Sequence, residues 1–213
     1  MKKLFLLLIF AMSNVAAAEP IILVLGDSLS AAYGIQRDQG WVALLQQRLR
    51  QSGFPHRVVN ASISGDTTAG GLTRLPQALK QFKPEILIIE LGGNDGLRGL
   101  GSRQTRDHLD QMITLARAAH SRPLLLGMML PPNFGKAFTE KFLQLYRDLA
   151  EQRAVPLVPF FLDGVADRPE WMQGDGIHPN AEGQPRMLEH VWDQLQPMLE
   201  SGAAAPYSAT MLK

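Results

Sequence analysis

The chain has 213 residues, 46% of them hydrophobic, with no cysteine and a formal net charge of +1. That length and apolar content suit one compact domain and are small for two. The near-neutral balance gives no electrostatic reason to expect a nucleic acid partner, and without cysteine a hydrophobic core must hold the fold with no disulfide.

The elements follow in chain order. Met1-Lys2-Lys3, the apolar run Leu4–Met12 and Ala16-Ala17-Ala18 form a basic start, a short greasy stretch and a small-residue cleavage site. That is the pattern of a secretory signal, cleaved near Ala18. It is too short to span a membrane, which takes about 20 apolar residues, and no later segment reaches that length without charges. A periplasmic or secreted protein with no integral membrane anchor is therefore expected. Ile21–Leu25, Arg57–Asn60, Ile86–Leu91, Pro123–Met128 and Val155–Val158 read as strands. The third and fourth are continuous apolar runs, as in parallel strands covered on both faces. Between and after them, Trp41–Gln51, Leu72–Phe82, Thr105–Ala119, Phe138–Gln152 and Ala181–Leu199 are amphipathic. In the fourth, Phe138, Phe142, Leu145 and Leu149 recur at helical spacing and form a core stripe. The tail from Ser201 to Lys213 is low in complexity and expected to be disordered.

Repeated strand–helix alternation predicts a single three-layer α/β domain over residues 19–200, built on a parallel sheet. Right-handed crossovers favour the doubly wound order 2-1-3-4-5. In such a sheet, ligands bind beyond the carboxyl ends of the strands. Four segments there carry chemistry. Gly26-Asp27-Ser28-Leu29-Ser30 follows the first strand, and the second leads into a stretch ending Ser64-Gly65-Asp66-Thr67. Gly92-Gly93-Asn94-Asp95-Gly96 follows the third, and Asp175-Gly176-Ile177-His178-Pro179 precedes the last helix. Ser28, leaving a buried strand toward a helical pattern, suits a nucleophile whose reaction generates an oxyanion. His178 is the suitable base near neutral pH. Asp175, three residues earlier in the same turn-rich loop, can reach the imidazole and fix its tautomer. The candidate oxyanion-hole donors are the N–H of Ser28, the N–H of Gly65 and the side-chain amide of Asn94.

Each segment alone also has a plainer reading. Ser28 could cap a helix, Gly65 could belong to a helix start, and Gly92–Gly96 could be only a turn. Asp175-x-x-His178 could be half of a metal site. Their order and their common place at strand ends favour acyl transfer. His56, His108, His120 and His190 lie beside charges and read as surface or structural residues.

Together the four segments resemble the Ser, Gly, Asn and His blocks of the SGNH (GDSL-type) hydrolase superfamily, over roughly residues 20–199. Val59–Thr67 and Glu90–Gly99 look in particular like the bacterial periplasmic branch whose members are described as thioesterases, lysophospholipases, arylesterases and proteases. The resemblance implies a flavodoxin-like α/β/α fold and hydrolysis of esters and thioesters through an acyl-enzyme, with no metal and no cofactor. Absence of any G-x-S-x-G argues separately against an α/β-hydrolase elbow. Small-molecule acyl esters or thioesters are the expected partners, and a monomer is expected. The acyl group is expected to contact Leu97, Leu100, Met129, Pro131, Phe134 and Ile177, apolar residues of the same loops. Two other readings stand beside this one: a carbohydrate O-acetyl esterase of the same superfamily, and a non-catalytic module cradling a phosphate near Ser28.

Overall fold

The structure, a computed structural model, describes residues 19–203. The proposed leader and most of the tail lie outside the described residues. Five parallel strands run β1 (Ile21–Gly26), β2 (Arg57–Asn60), β3 (Ile86–Glu90), β4 (Arg122–Leu126) and β5 (Leu157–Val158), in the spatial order β2-β1-β3-β4-β5. That is the expected order. The helices are α1 (Trp41–Gln51), α2 (Thr68–Phe82), α3 (Gly93–Leu97), α4 (Ser102–Ala118), α5 (Lys136–Arg153) and α6 (Gln184–Ala203). Helix α1 packs with α6, and α4 packs with α2 and α5, so the sheet carries helices on both faces.

The central strands are buried because both faces are covered: Ile22–Leu25 and Ile86–Ile89 have no accessible surface. Helices α1, α4 and α5 bring Leu45 and Leu49, Leu109 and Met112, and Phe142, Tyr146 and Leu149 onto the core, each set at helical spacing. Trp41 ties three elements together. Its backbone N–H donates to Gln184 Oε1 at the start of α6 (3.0 Å), and its indole donates to Ser30 Oγ (3.2 Å).

Several boundaries differ from expectation. The segment after Ser28 is a run of turns, not a regular helix, with Ala32 and Gly34 at positive φ. Helix α2 begins at Thr68 instead of Leu72, capped by Thr67, whose hydroxyl accepts the Gly70 N–H. The Gly92–Gly96 stretch, which could have been only a turn, caps and forms most of helix α3. Strand β5 has two residues, because Pro156 and Pro159 flank it and cannot donate to a ladder.

Candidate active site

Ser28 stands two residues beyond β1, at the carboxyl edge of the sheet. The loop before α6 approaches the same edge and is pinned there. Met172 and Pro179 form an antiparallel bridge, Gln173 N–H donates to His178 O (2.8 Å), and Gln173 Nε2 donates to Tyr33 O (2.8 Å) in the turns after Ser28. Within this loop Asp175 Oδ1 accepts the N–H groups of Ile177 (2.9 Å) and His178 (3.0 Å), which curls the chain so that its other oxygen faces the imidazole. His178 Nδ1 lies 2.6 Å from Asp175 Oδ2, and Nε2 lies 2.9 Å from Ser28 Oγ. A carboxylate at Nδ1 holds that proton and leaves Nε2 as acceptor for the serine hydroxyl. Both ring nitrogens face protein partners, and among the described residues no three His, Cys, Asp or Glu side chains gather to hold a metal ion. The Tyr33 ring covers the imidazole at 4.6 Å between centroids.

Asn94, on α3, donates from Nδ2 to Asp27 Oδ2 (3.0 Å) and lines the same cleft as Ser28 and His178. Gly65 has φ +79°, and its carbonyl accepts from Arg98 (2.8 Å). The loop bearing Gly65 is tied to β1 by Ala61 N–H to Val24 O (2.9 Å) and Ile63 N–H to Gly26 O (3.0 Å). The cleft has a volume of about 230 Å³. Of the expected acyl contacts, Leu97, Met129, Pro131 and Ile177 line it. Leu100 and Phe134 are not among the residues that line it. Leu100 lies out toward solvent before α4, and the Phe134 ring stacks on Phe138 of α5 at 6.5 Å. Sequence reasoning missed Met128, Phe160 and Leu162 in the wall and singled out Leu130 only as part of the loop after the fourth strand. The available signal was their position just after β4 and β5, the same rule that located Ser28. Of the other histidines, His56 is buried against Glu85 (3.2 Å) and His190 bonds the Asp163 carbonyl (2.8 Å).

Two carboxyls near Ser28 titrate in opposite directions. Burial pushes Asp27 up from 3.8 to about 6, against hydrogen bonds from Leu29, Asn94 and Glu90 and the attraction of His178. At Asp175 burial also opposes ionisation. There the hydrogen bonds from His178 and Ile177 and the imidazole charge outweigh it and hold the carboxyl at about 2. Folded Asp27 keeps a proton that the unfolded chain has released, so its contribution to stability is complete below about pH 4 and is lost as pH rises through 6. The Asp175 contribution has the reverse sign, present above pH 4 and lost as pH falls through 2. Asp27→Asn is therefore expected to show a smaller drop in urea midpoint between pH 4 and 7 than wild type. Equal drops would refute the assignment.

A doubly wound parallel sheet with a hydroxyl, an imidazole and a carboxylate in hydrogen-bond series at its carboxyl edge defines a serine hydrolase. The comparisons give the family. The model of the GDSL-like lipase/acylhydrolase family matches residues 24–186, and the chain belongs to that family. It is 54% identical over 183 residues to the esterase TesA of Pseudomonas aeruginosa, covering 86% of this chain and 91% of that one. It is 46% identical over 195 residues to thioesterase 1/protease 1/lysophospholipase L1 of Escherichia coli, covering 92% of each. Among solved structures, a psychrotrophic esterase EstA from Pseudoalteromonas, inhibited by monoethylphosphonate, superposes with a TM-score of 0.80 at 37% identity, over 84% of this chain and 98% of that one. No helix among the described residues is long and apolar enough to cross a membrane.

Proposed function

We propose that this protein hydrolyses carboxylic esters and thioesters through an acyl-enzyme on Ser28. His178 Nε2 takes the Oγ proton as Oγ attacks the carbonyl carbon. The developing oxyanion accepts hydrogen bonds from Ser28 N–H, Gly65 N–H and the Asn94 amide. The tetrahedral intermediate collapses, the leaving alkoxide or thiolate takes the proton from His178, and water activated by the same imidazole then frees the acid. Asp175 keeps the imidazole in the productive tautomer and stabilises its cation. The observation that carries this reading is the unbroken chain of contacts, 2.6 Å and then 2.9 Å, ending on a hydroxyl that opens into an apolar cleft.

The acyl group occupies the wall formed by Leu97, Met129, Pro131 and Ile177. An apolar cleft with few polar groups suits alkyl and aryl acyl chains better than a sugar, which would leave hydroxyls unpaired. The names of the relatives, an esterase and a thioesterase/lysophospholipase, support the same substrate class. Residues 1–18 act as a cleaved export signal, which places the enzyme in the periplasm or outside the cell. Hydrolysis of p-nitrophenyl esters from acetyl to palmitoyl tests the reading. Turnover is expected to extend well beyond acetyl, and activity confined to acetyl would favour the carbohydrate deacetylase instead. No covalent labelling of Ser28 by an organophosphorus ester would favour the binding module.

A further inference from the structure

Glu90 closes β3 directly beside Gly26 in the sheet register and has no accessible surface. Its Oε2 accepts the Asp27 N–H (3.1 Å) and the Ser30 hydroxyl (2.6 Å), and Ser30 Oγ in turn accepts the Trp41 indole N–H. Its Oε1 is sealed from solvent and receives no N–H or O–H from any described residue. The neighbouring acidic group is Asp27, whose backbone N–H Glu90 accepts and whose own carboxyl is also buried, 2% exposed. Two ionised carboxylates offer each other no donor, so a proton on one of them relieves both the orphaned buried oxygen and the repulsion between them.

The partners say which carboxyl carries it. Asp27 uses both oxygens as acceptors, Oδ1 for Leu29 N–H (3.0 Å) and Oδ2 for the Asn94 amide (3.0 Å). Glu90 has the oxygen without a donor. The charged and titratable groups around the pair do not neutralise Glu90. Asp95 and the buried Tyr146 hydroxyl bring no positive charge, and the His178 imidazole acts on Asp27. Arg74 reaches Gly26 O, but its charge is matched by Asp66 at 2.7 Å. Burial and the neighbouring Asp27 both push the Glu90 carboxyl well above its ordinary value.

We propose that Glu90 is protonated in the working enzyme and donates to Asp27, so that the pair forms a singly charged clamp orienting the Asn94 amide. This rests on the oxyanion role given to Asn94 above. An Asp27 acceptor fixes which end of the amide is nitrogen: one N–H is spent on the clamp and the other remains for the cleft. A flipped amide would present its oxygen to the developing negative charge. The proton on Glu90 matters equally, because a doubly charged pair behind the same site would repel the oxyanion. Glu90 and Asp27 are positioning residues that act through the Asn94 amide.

The test uses Glu90→Gln, Glu90→Met and Asn94→Ala in the full-length enzyme, with kcat and KM for p-nitrophenyl butyrate and a thermal melt for each. A carboxamide reproduces a protonated carboxyl, donating to Asp27 and accepting from Asp27 N–H and Ser30. E90Q is therefore expected to keep kcat within about 3-fold. E90M, which cannot donate, should lose about 10- to 100-fold in kcat with KM little changed, and N94A about 10²- to 10³-fold. The infrared spectrum of wild type at pH 8 should retain the C=O stretch of one protonated carboxyl that E90Q lacks. A folded E90Q as impaired as N94A, or no such band in wild type, would overturn the inference. An E90M with wild-type kcat beside an impaired N94A would sink the clamp alone, whereas an unimpaired N94A would remove the oxyanion reading and the clamp with it. If E90M does not fold, the E90Q kinetics and the infrared band still decide.

Discussion

Ser28→Ala is expected to lower ester hydrolysis by about 10⁴-fold or more while leaving the unfolding midpoint within a few degrees of wild type. The two halves have separate causes. Among the described residues the Ser28 hydroxyl has one partner, His178 Nε2, and it stands at a partly exposed rim, so its loss leaves no buried group unpaired. The imidazole keeps its contact with Asp175, and the loop keeps its bridge at Met172 and Pro179. Chemistry suffers because, among the described residues, no other hydroxyl is hydrogen-bonded to the His178 imidazole. Residual turnover would come only from the oxyanion donors and binding, which in serine hydrolases leave about 10³- to 10⁴-fold over water. Triad residues act as a unit, so adding His178→Ala should cost little more than Ser28→Ala alone. Retention of more than about a hundredth of wild-type activity would exclude Ser28 as nucleophile, whatever the geometry.

The parts of this molecule that sequence made legible are those where side-chain chemistry and backbone period agree. Ile86–Ile89 could only be a strand buried on both faces, and the strand order follows from alternation with right-handed crossovers. Ser28, Asn94, Asp175 and His178 stood out because few other residue types do what acyl transfer needs. What stayed hidden depends on contacts distant in the chain. Helix α3 reads as a turn from Gly-Asn-Asp-Gly, but Asp95 inside it accepts the Thr68 N–H (2.9 Å) and hydroxyl, which holds the turn in helical form. The early start of α2 runs through Gly70 and Gly71, poor helix formers. Gly71 is needed there, since a Cβ would come within 2.3 Å of Leu91. Period also says nothing about which way a loop's apolar side chains turn, which is why Phe160 and Leu162 were missed and why Leu100 and Phe134 lie outside the cleft wall. Glu90 passed as the polar end of an apolar strand, because its role lies in neighbours sixty and more residues away.

Gly92→Ala is expected to cost about 3–5 kcal/mol, a loss of roughly 10 °C or more in melting temperature for a domain of this size. Two effects add. Gly92 has φ +118° and ψ −20°, a conformation available to glycine and strained for any residue with a Cβ, at about 1–3 kcal/mol. A Cβ there would also stand 2.0 Å from the Tyr146 hydroxyl. That ring cannot swing aside: it is fully buried, packed edge-on against Phe142 at 5.9 Å, and its hydroxyl donates to the Leu91 carbonyl (2.9 Å). Displacing it leaves a buried acceptor unpaired, at about 1–3 kcal/mol more. Removing the hydroxyl in the background of the first change separates the two effects. The double variant Gly92→Ala/Tyr146→Phe should be less destabilised than the sum of the singles, because the clash disappears while the backbone strain stays. Strict additivity would mean that the alanine never meets the tyrosine. A Gly92→Ala protein melting within about 2 °C of wild type would show that the turn into α3 adopts another conformation. Asn94, two residues farther on, takes its place from that turn, so the activity of the single variant should fall along with its stability.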